Sequence, residues 1–403
     1  MSERLPLAGL KVLDLASFIA GPVATTVMGD YGAHVIKIEP PGDGDPQRKL
    51  GQAHSIPQHP VNFCWHLVNR NKRSIVLDLK NPEGRAAFDR LLMTADVMVV
   101  NFPLKVRERL KMRYQDVAPL HPRLIYASMT GYGENGPDAD QPGFDSTAFF
   151  ARSGLLDALT HQDGPPAFSL PAQGDQMAGM NLFAAISMAL LHRERTGQGS
   201  EVSTSLHAGG LWSNAMLAQG ALLGAYVAPR PPRHQPRSAL ANQYKTADGR
   251  WIQLTIVRED KLWPPLCRAL ERPDLIADPR FDTTDKRRAR ATELAAILDP
   301  IFAAQPWLEW RRRLREGEIT FGLLGVLRDV PGDEQAVANG SVVPTTVEEM
   351  PSTISAPIRL SFAPAPADPG PGPGLGQHTD EVLGELGYSG AEIEKLRAAG
   401  ALG

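Results

Sequence analysis

The chain lacks several features that would assign it to common functional classes. Its 403 residues carry 42 Lys and Arg against 45 Asp and Glu, a formal net charge of −3. A nucleic-acid binder wants a basic field, and no such excess exists. Cysteine occurs only twice, at Cys64 and Cys267. Neither stands in a zinc-like Cys/His spacing, so free thiols and no metal centre are expected. No apolar run approaches the roughly 20 residues of a membrane span. The opening Met1-Ser2-Glu3-Arg4 is without the apolar core of a secretory signal. Glycine is scarce where a nicotinamide or flavin enzyme needs it. The first strand–helix turn reads Ala16-Ser17-Phe18-Ile19-Ala20-Gly21-Pro22, with one glycine and no Gly-x-Gly-x-x-Gly fingerprint. These absences point to a cytoplasmic protein with no nucleic-acid partner and no membrane association.

What is present is a strand–helix alternation. Residues 10–15 read as a buried strand, and Pro22 suits the first turn of a helix running to about residue 30. Strands are expected at 34–39, 74–79, 95–100 and 124–129, with a helix opened by Asn81-Pro82 and ending near Leu92. Such alternation predicts an α/β protein with a Rossmann-like, doubly wound parallel sheet. Residues 201–206 read as one more strand, and the Ala/Gly/Leu-rich stretch 207–228 as one long linking helix. The Pro/Arg tract 230–237 cannot be regular structure. Asp248-Gly249 marks a β-hairpin over 244–254, followed by two or three helices to about 316. The expected division is a large domain of residues 1–206 and 330–403, a linker 207–240, a small α+β domain 241–316 and a return linker 317–329. Residues 363–376 form an extended Pro/Gly tract, and 380–386 and 390–398 are terminal helices.

The chain is organised around Pro171-Ala172-Gln173-Gly174-Asp175-Gln176-Met177-Ala178-Gly179-Met180. A helix over 180–192, buried on most sides, follows it. Basic residues and Gly197 close that helix. Local sequence leaves two readings of Asp175: a helix N-cap, for which Asp is favoured, or a carboxylate nucleophile.

Several segments together resemble the family III CoA-transferases, which include formyl-CoA transferase, carnitine CoA-transferase and the α-methylacyl-CoA racemases. They are residues 9–22, Asn71-Lys72-Arg73-Ser74-Ile75-Val76-Leu77-Asp78-Leu79-Lys80, Val100-Asn101-Phe102-Pro103, Met129-Thr130-Gly131-Tyr132-Gly133, Gly174-Asp175, Thr196-Gly197-Gln198-Gly199 and Leu375-Gly376-Gln377-His378-Thr379-Asp380. The resemblance implies a CoA-transferase with Asp175 as nucleophile. An acyl-CoA donor and a carboxylic acid acceptor would react through an aspartyl anhydride and an aspartyl-CoA thioester. It implies no permanently bound cofactor, CoA entering as the substrate thioester. It also implies an interlocked homodimer. CoA contacts carry over to Ile19, Ala20, Leu77, Lys80, Asn101, Phe102, Arg109, Gly143, Phe144 and Asp145. Lys80 and Arg109 suit phosphate partners.

Two departures matter. Some relatives have an Arg where this chain has Pro40, and Arg48 is the expected substitute. Racemases of the family carry Gly-His-Asp where this chain has Gly143-Phe144-Asp145. Phe144 cannot move a proton, which disfavours stereoinversion. The competing readings are a racemase or an intramolecular CoA-migrating isomerase of the same family, and a non-catalytic CoA-thioester-binding protein. The run 144–154 resembles a subgroup acting on aryl or branched 2-hydroxy acids. His66, His161, His207 and His378 are expected to be structural.

Overall fold

The computed structural model describes residues 5–54, 56–363, 366 and 368–402. The chain divides into two units. The larger comprises Met1–Asp157, Phe168–Val227 and Glu334–Gly403, and the smaller Ala158–Ala167 and Ala228–Asp333.

The larger unit is built on a six-stranded parallel sheet. Its strands are β1 (Lys11–Asp14), β2 (His34–Glu39), β3 (Lys72–Val76), β4 (Val97–Val100), β5 (Ile125–Thr130) and β6 (Ser200–Ser205), in the order β3-β2-β1-β4-β5-β6. That is the doubly wound order, which reverses between β1 and β4. Both sheet faces are covered, and successive strand residues serve opposite cores. Leu13, Ile36, Ile38, Met98, Val100 and Tyr126 face the helix Pro82–Leu92 and the terminal helices Thr379–Glu385 and Gly390–Ala398. Val12, Val35, Val97, Val99, Ile125 and Ala127 face the helices Ala20–Asp30 and Gln173–Thr196. Burial on both faces is why these strands read as continuous apolar runs.

The helix Gln173–Thr196 starts seven residues before the apolar run at Met180 that marked it in sequence. Its first turns are polar, so periodicity alone does not reveal them. Its burial is one-sided: Gly174, Ala178, Leu182, Ile186, Ala189 and Arg193 are buried, while Met188 and Leu191 are exposed. Gly179 sets its distance from the helix Ala20–Asp30. A Cβ there would stand 2.6 Å from Val23 Cβ and 2.7 Å from the Ala20 carbonyl.

Other departures from the sequence reading are local. β3 begins two residues earlier than expected and ends at Val76. Residues 207–228 hold two helices, Leu206–Ser213 and Ala215–Leu222, broken at Asn214. The smaller unit has an antiparallel sheet of β7 (Gln243–Lys245), β8 (Trp251–Leu254) and β9 (Phe321–Leu323), in that order. β9 lies in a stretch that sequence alone reads as linker. The unit's core gathers Tyr244, Trp263, Leu266, Phe302 and Trp310, with Tyr244 stacked on Phe302 at 4.8 Å.

Candidate active site

In an open parallel sheet, ligands bind outside the carboxyl ends of the strands where the order reverses. Here that point lies between the loops after β1 and β4. The Asn101 side chain joins them, accepting the Ser17 N–H at 2.9 Å and donating to the Ser17 carbonyl at 2.8 Å. The rest of the glycine-poor turn is satisfied by side chains as well. Lys37 Nζ donates to the Ala16 carbonyl at 2.9 Å, and Asp45 Oδ1 accepts the Phe18 N–H at 3.0 Å. Phe18 takes a left-handed φ of 63°.

A buried ionic cluster underlies this turn. Lys37 Nζ lies 2.8 Å from Asp45 Oδ2 and 3.9 Å from Asp14 Oδ2, and Lys72 Nζ lies 2.8 Å from the same Asp14 oxygen. Lys72 also donates to the Pro22 and Val68 carbonyls. Burial pulls the Lys72 ammonium down to about 8, although Asp14 opposes the shift. Burial alone would raise Asp14, but Lys37 and Lys72 hold it below its usual value. The paired charges make the burial tolerable and hold the turn in one geometry.

Asp175 stands in the first turn of the helix Gln173–Thr196, and Ala172, not Asp175, is the N-cap. Ala172 has φ 61° and makes no side-chain capping bond. Asp175 is therefore free of the capping role that local sequence allowed. Ala172 packs in one apolar cluster with Ile19, Val23 and Val68, which brings the helix start to the first turn. Gly174 permits the other approach. A Cβ on it would meet Phe149 Cγ at 2.6 Å and Asp145 Cβ at 2.9 Å. Burial, then the like charge of Asp145, pushes the Asp175 carboxyl from 3.8 to about 7. Burial also raises Asp145, partly offset by the amides of Ser146, Gly174 and Ala172. Asp145 Oδ1 accepts the Ser146 N–H at 2.7 Å. Burial and the nearby Asp145 charge together favour the protonated form of Asp175.

The remaining candidates fall into groups. Ile19 and Ala20 are buried where the first helix begins. The Leu77 side chain lies in the core, so only its backbone can meet a ligand. Phe102 packs against that core and offers its carbonyl to Arg107 Nε at 2.8 Å. Gly143 backs onto Gly131, leading the chain from β5 to the exposed Phe144. Lys80 and Arg109 line one cleft of about 590 Å³ together with Arg85 and Lys111, which sequence reasoning missed. Arg85 is engaged with Asp89 and the Leu110 carbonyl. Lys80, Arg109 and Lys111 have no acidic partner among the described residues, and such a cleft suits phosphate groups.

Arg48 does not replace the missing Arg at Pro40. Its Nε and Nη2 each donate to a Glu39 oxygen at 2.7 Å, and its guanidinium lies 3.8 Å from the Trp65 ring centroid. A guanidinium held by a buried carboxylate and an indole is committed to structure. Three of the histidines bond to nearby backbone. His66 accepts from Gly372 N–H, His378 from Ser74 N–H, and His161 Nδ1 lies 3.3 Å from the Pro231 carbonyl. Phe18 was another omission. Nothing in a local window marks it, because its partners Asp45 and Phe144 come from distant segments. Among the described residues no group of three or more His, Cys, Asp or Glu could hold a metal ion. Among the same residues no helix is long and apolar enough to cross a membrane.

The family model described as CoA-transferase family III matches residues 7–379. The chain is similar to (R)-2-hydroxy-4-methylpentanoate CoA-transferase of Clostridioides difficile, at 33% identity over 97% of this chain and 98% of that one. It is similar also to cinnamoyl-CoA:phenyllactate CoA-transferase of Clostridium sporogenes, at 34% identity over 96% and 95%. The crystal structure of a CAIB/BAIF family protein from Brucella suis superposes with a TM-score of 0.84 and 29% identity, covering 95% of this chain and all of that one. The match spans the strand–turn–helix elements that build the site, and the chain belongs to CoA-transferase family III.

Proposed function

We propose that this protein moves CoA from an acyl-CoA thioester to a carboxylic acid, with Asp175 as the nucleophile. The observation that carries the reading is the Gly174-Asp175 pair at the start of a helix whose N-cap, Ala172, packs against the switch-point turn. A carboxylate oxygen of Asp175 attacks the donor carbonyl carbon. The C–S bond breaks, giving a mixed anhydride and CoA thiolate. The thiolate attacks the Asp175 carboxyl carbon, the anhydride C–O bond breaks, and the donor acid leaves. The acceptor carboxylate then attacks the aspartyl-CoA thioester, releasing thiolate and forming a second anhydride. Attack of that thiolate on the acceptor's carbonyl yields the new thioester and restores Asp175. One thioester replaces another, so no energy source is consumed. The orphan N–H groups of the helix's first turn are available to the oxyanions that form.

Lys80 and Arg109 hold the CoA phosphates in this reading, with Lys111 in the same cleft. Ile19, Ala20, Asn101 and Phe102, and the backbone of Leu77, lie along the CoA path. Gly143, Phe144 and Asp145 flank the reacting carbonyl. Phe144 stands where a racemase has a proton-carrying imidazole, which leaves Asp175 without that partner.

The protein works in the cytoplasm as an interlocked homodimer, with a large CoA-binding domain and a small domain. Exposed Trp212, Met216, Leu222 and Tyr226, each at least 77% accessible in the single chain, support the dimer. Sedimentation analysis tests it. For the reaction, the test is incubation with an acyl-CoA followed by hydroxylamine and peptide mass spectrometry. A hydroxamate on Asp175 is expected. Its absence across short, branched and aryl thioesters would favour a CoA-binding protein without transferase chemistry.

A further inference from the structure

Phe18 and Phe144 are a pair of exposed aromatics that no core explains. Phe18 is 37% and Phe144 57% accessible. Their ring centroids lie 5.8 Å apart at an interplanar angle of 86°, the edge-to-face arrangement aromatic pairs prefer. Each comes from a different loop at the carboxyl edge of the sheet, Phe18 after β1 and Phe144 after β5.

Phe18 occupies a backbone region that glycine or asparagine would fill without strain. Its φ is 63°. A bulky side chain in that region is costly and persists only where the surroundings overdetermine it. They do so here. Asp45 Oδ1 accepts the Phe18 N–H at 3.0 Å, the buried Asp45 is held by Lys37 at 2.8 Å, and Asn101 grips both backbone groups of Ser17. A buried ion pair thus helps hold this residue, with its exposed ring, in the left-handed region. A turn that served only the chain's path would not need the ring.

The segments that carry the two rings both pack near the start of the helix that bears Asp175. Phe144 directly precedes Asp145, whose charge acts on Asp175. Phe18 directly precedes Ile19, which packs with Ala172, three residues before Asp175. We propose that Phe18 and Phe144 together form an apolar wall that selects branched or aryl acyl groups over short ones. The inference rests on Asp175 being the nucleophile, because the acyl carbon then sits at the helix start to which both ring-bearing segments pack. A side chain such as a benzyl or isobutyl group would gain the exposed faces, and a methyl group would not.

The test compares acceptors within each variant, using acetyl-CoA as common donor. The acceptors are 3-phenyllactate, 2-hydroxy-4-methylpentanoate and labelled acetate, the last read as exchange into acetyl-CoA. Phe18→Gly removes the ring while easing the left-handed backbone, and Phe144→Ala removes its partner. The wild type is expected to favour the two bulky acids in kcat/KM. Each substitution should lower the bulky-to-acetate ratio about tenfold, the scale of a lost apolar contact in a pocket. The double variant should fall by less than the product of the two, since the rings act as a unit. A ratio cancels the folded fraction, so partial unfolding does not imitate the effect. An equal fall for every acid would mean that the rings touch the pantetheine arm or only support the loop, and would overturn the wall. So would an unchanged ratio, or a wild type that favours acetate. Trapping at Asp175 with hydroxylamine separates the two levels. A trapped hydroxamate with an unchanged ratio sinks only the wall, whereas no hydroxamate from any donor sinks the nucleophile on which it rests.

Discussion

The charge of Asp145 bears on Asp175: Asp145 opens the helical turn Asp145–Ala151, abuts Gly174 beside Asp175, and helps raise the Asp175 carboxyl to about 7. Gly174 makes this possible, since any larger residue would drive the two apart. For a nucleophile the consequence is a proton to be lost near neutrality. The acidic limb of kcat/KM, which reports the free enzyme, should rise with pH and level off above about 7. Asp145→Asn removes the like charge and should move that limb to lower pH. A limb that stays in place would show that burial alone sets the value.

Stability should follow the same group in the opposite sense. Below the ordinary value of 3.8 the acid is protonated whether the chain is folded or unfolded. Between there and about 7 the unfolded Asp175 ionises first, so the folded state loses stability as pH rises. Asp175→Asn should abolish transfer yet raise the melting temperature at pH 8, by about 1–3 kcal/mol equivalent after solvent screening. The gain should vanish near pH 4. Thermal melts at the two pH values measure it, and CoA binding by calorimetry should be largely retained.

Lys80 and Arg109 act on the phosphates in the proposed reading, not on the thioester. Lys80→Ala and Arg109→Ala should each raise KM for an acyl-CoA about tenfold with little change in kcat. The effect should shrink as salt is added. Thioesters of pantetheine, which lack the nucleotide, should be used equally well by variant and wild type. A kcat defect with those truncated donors would remove the cleft from phosphate binding.

Gly174→Ala tests the packing that sets the Asp pair. Its Cβ would enter the space of Phe149 and Asp145, and neither contact is with a flexible chain end. The cost should be about 1–3 kcal/mol of stability, the scale of overpacking. The kcat should fall more than the folded fraction does, because the carboxylate itself is displaced. Comparing melts with active-site titration separates the two effects.

Much of the fold was legible because a sheet buried on both faces writes itself as apolar runs. β1, β2, β4 and β5 all stand within about two residues of where those runs lie, and the helix Pro82–Leu92 begins at its Asn81 cap. The start of the helix Gln173–Thr196 was legible only to within a few residues, with Asp175 in place of Ala172 as the candidate N-cap. Its first turn is polar, and its N-cap, Ala172, takes a left-handed φ of 61° that no alanine announces. β9 was missed for a related reason, since a three-residue strand carries too little periodicity to mark itself.

For the site the division is similar. The chain's own order of residues specified the alternating α/β pattern, the family's scattered segments and Asp175 as the carboxylate to examine. Those are properties of local composition and spacing. Only the tertiary structure decided what surrounds them. Arg48 is taken by Glu39 and Trp65, Lys111 joins Lys80 and Arg109, and Asp45 pins Phe18 from 27 positions away. Each outcome depends on distances between residues far apart in the chain. Burial, which raises Asp175, and the ion pairs that hold the glycine-poor turn exist only once the sheet and its helices have packed.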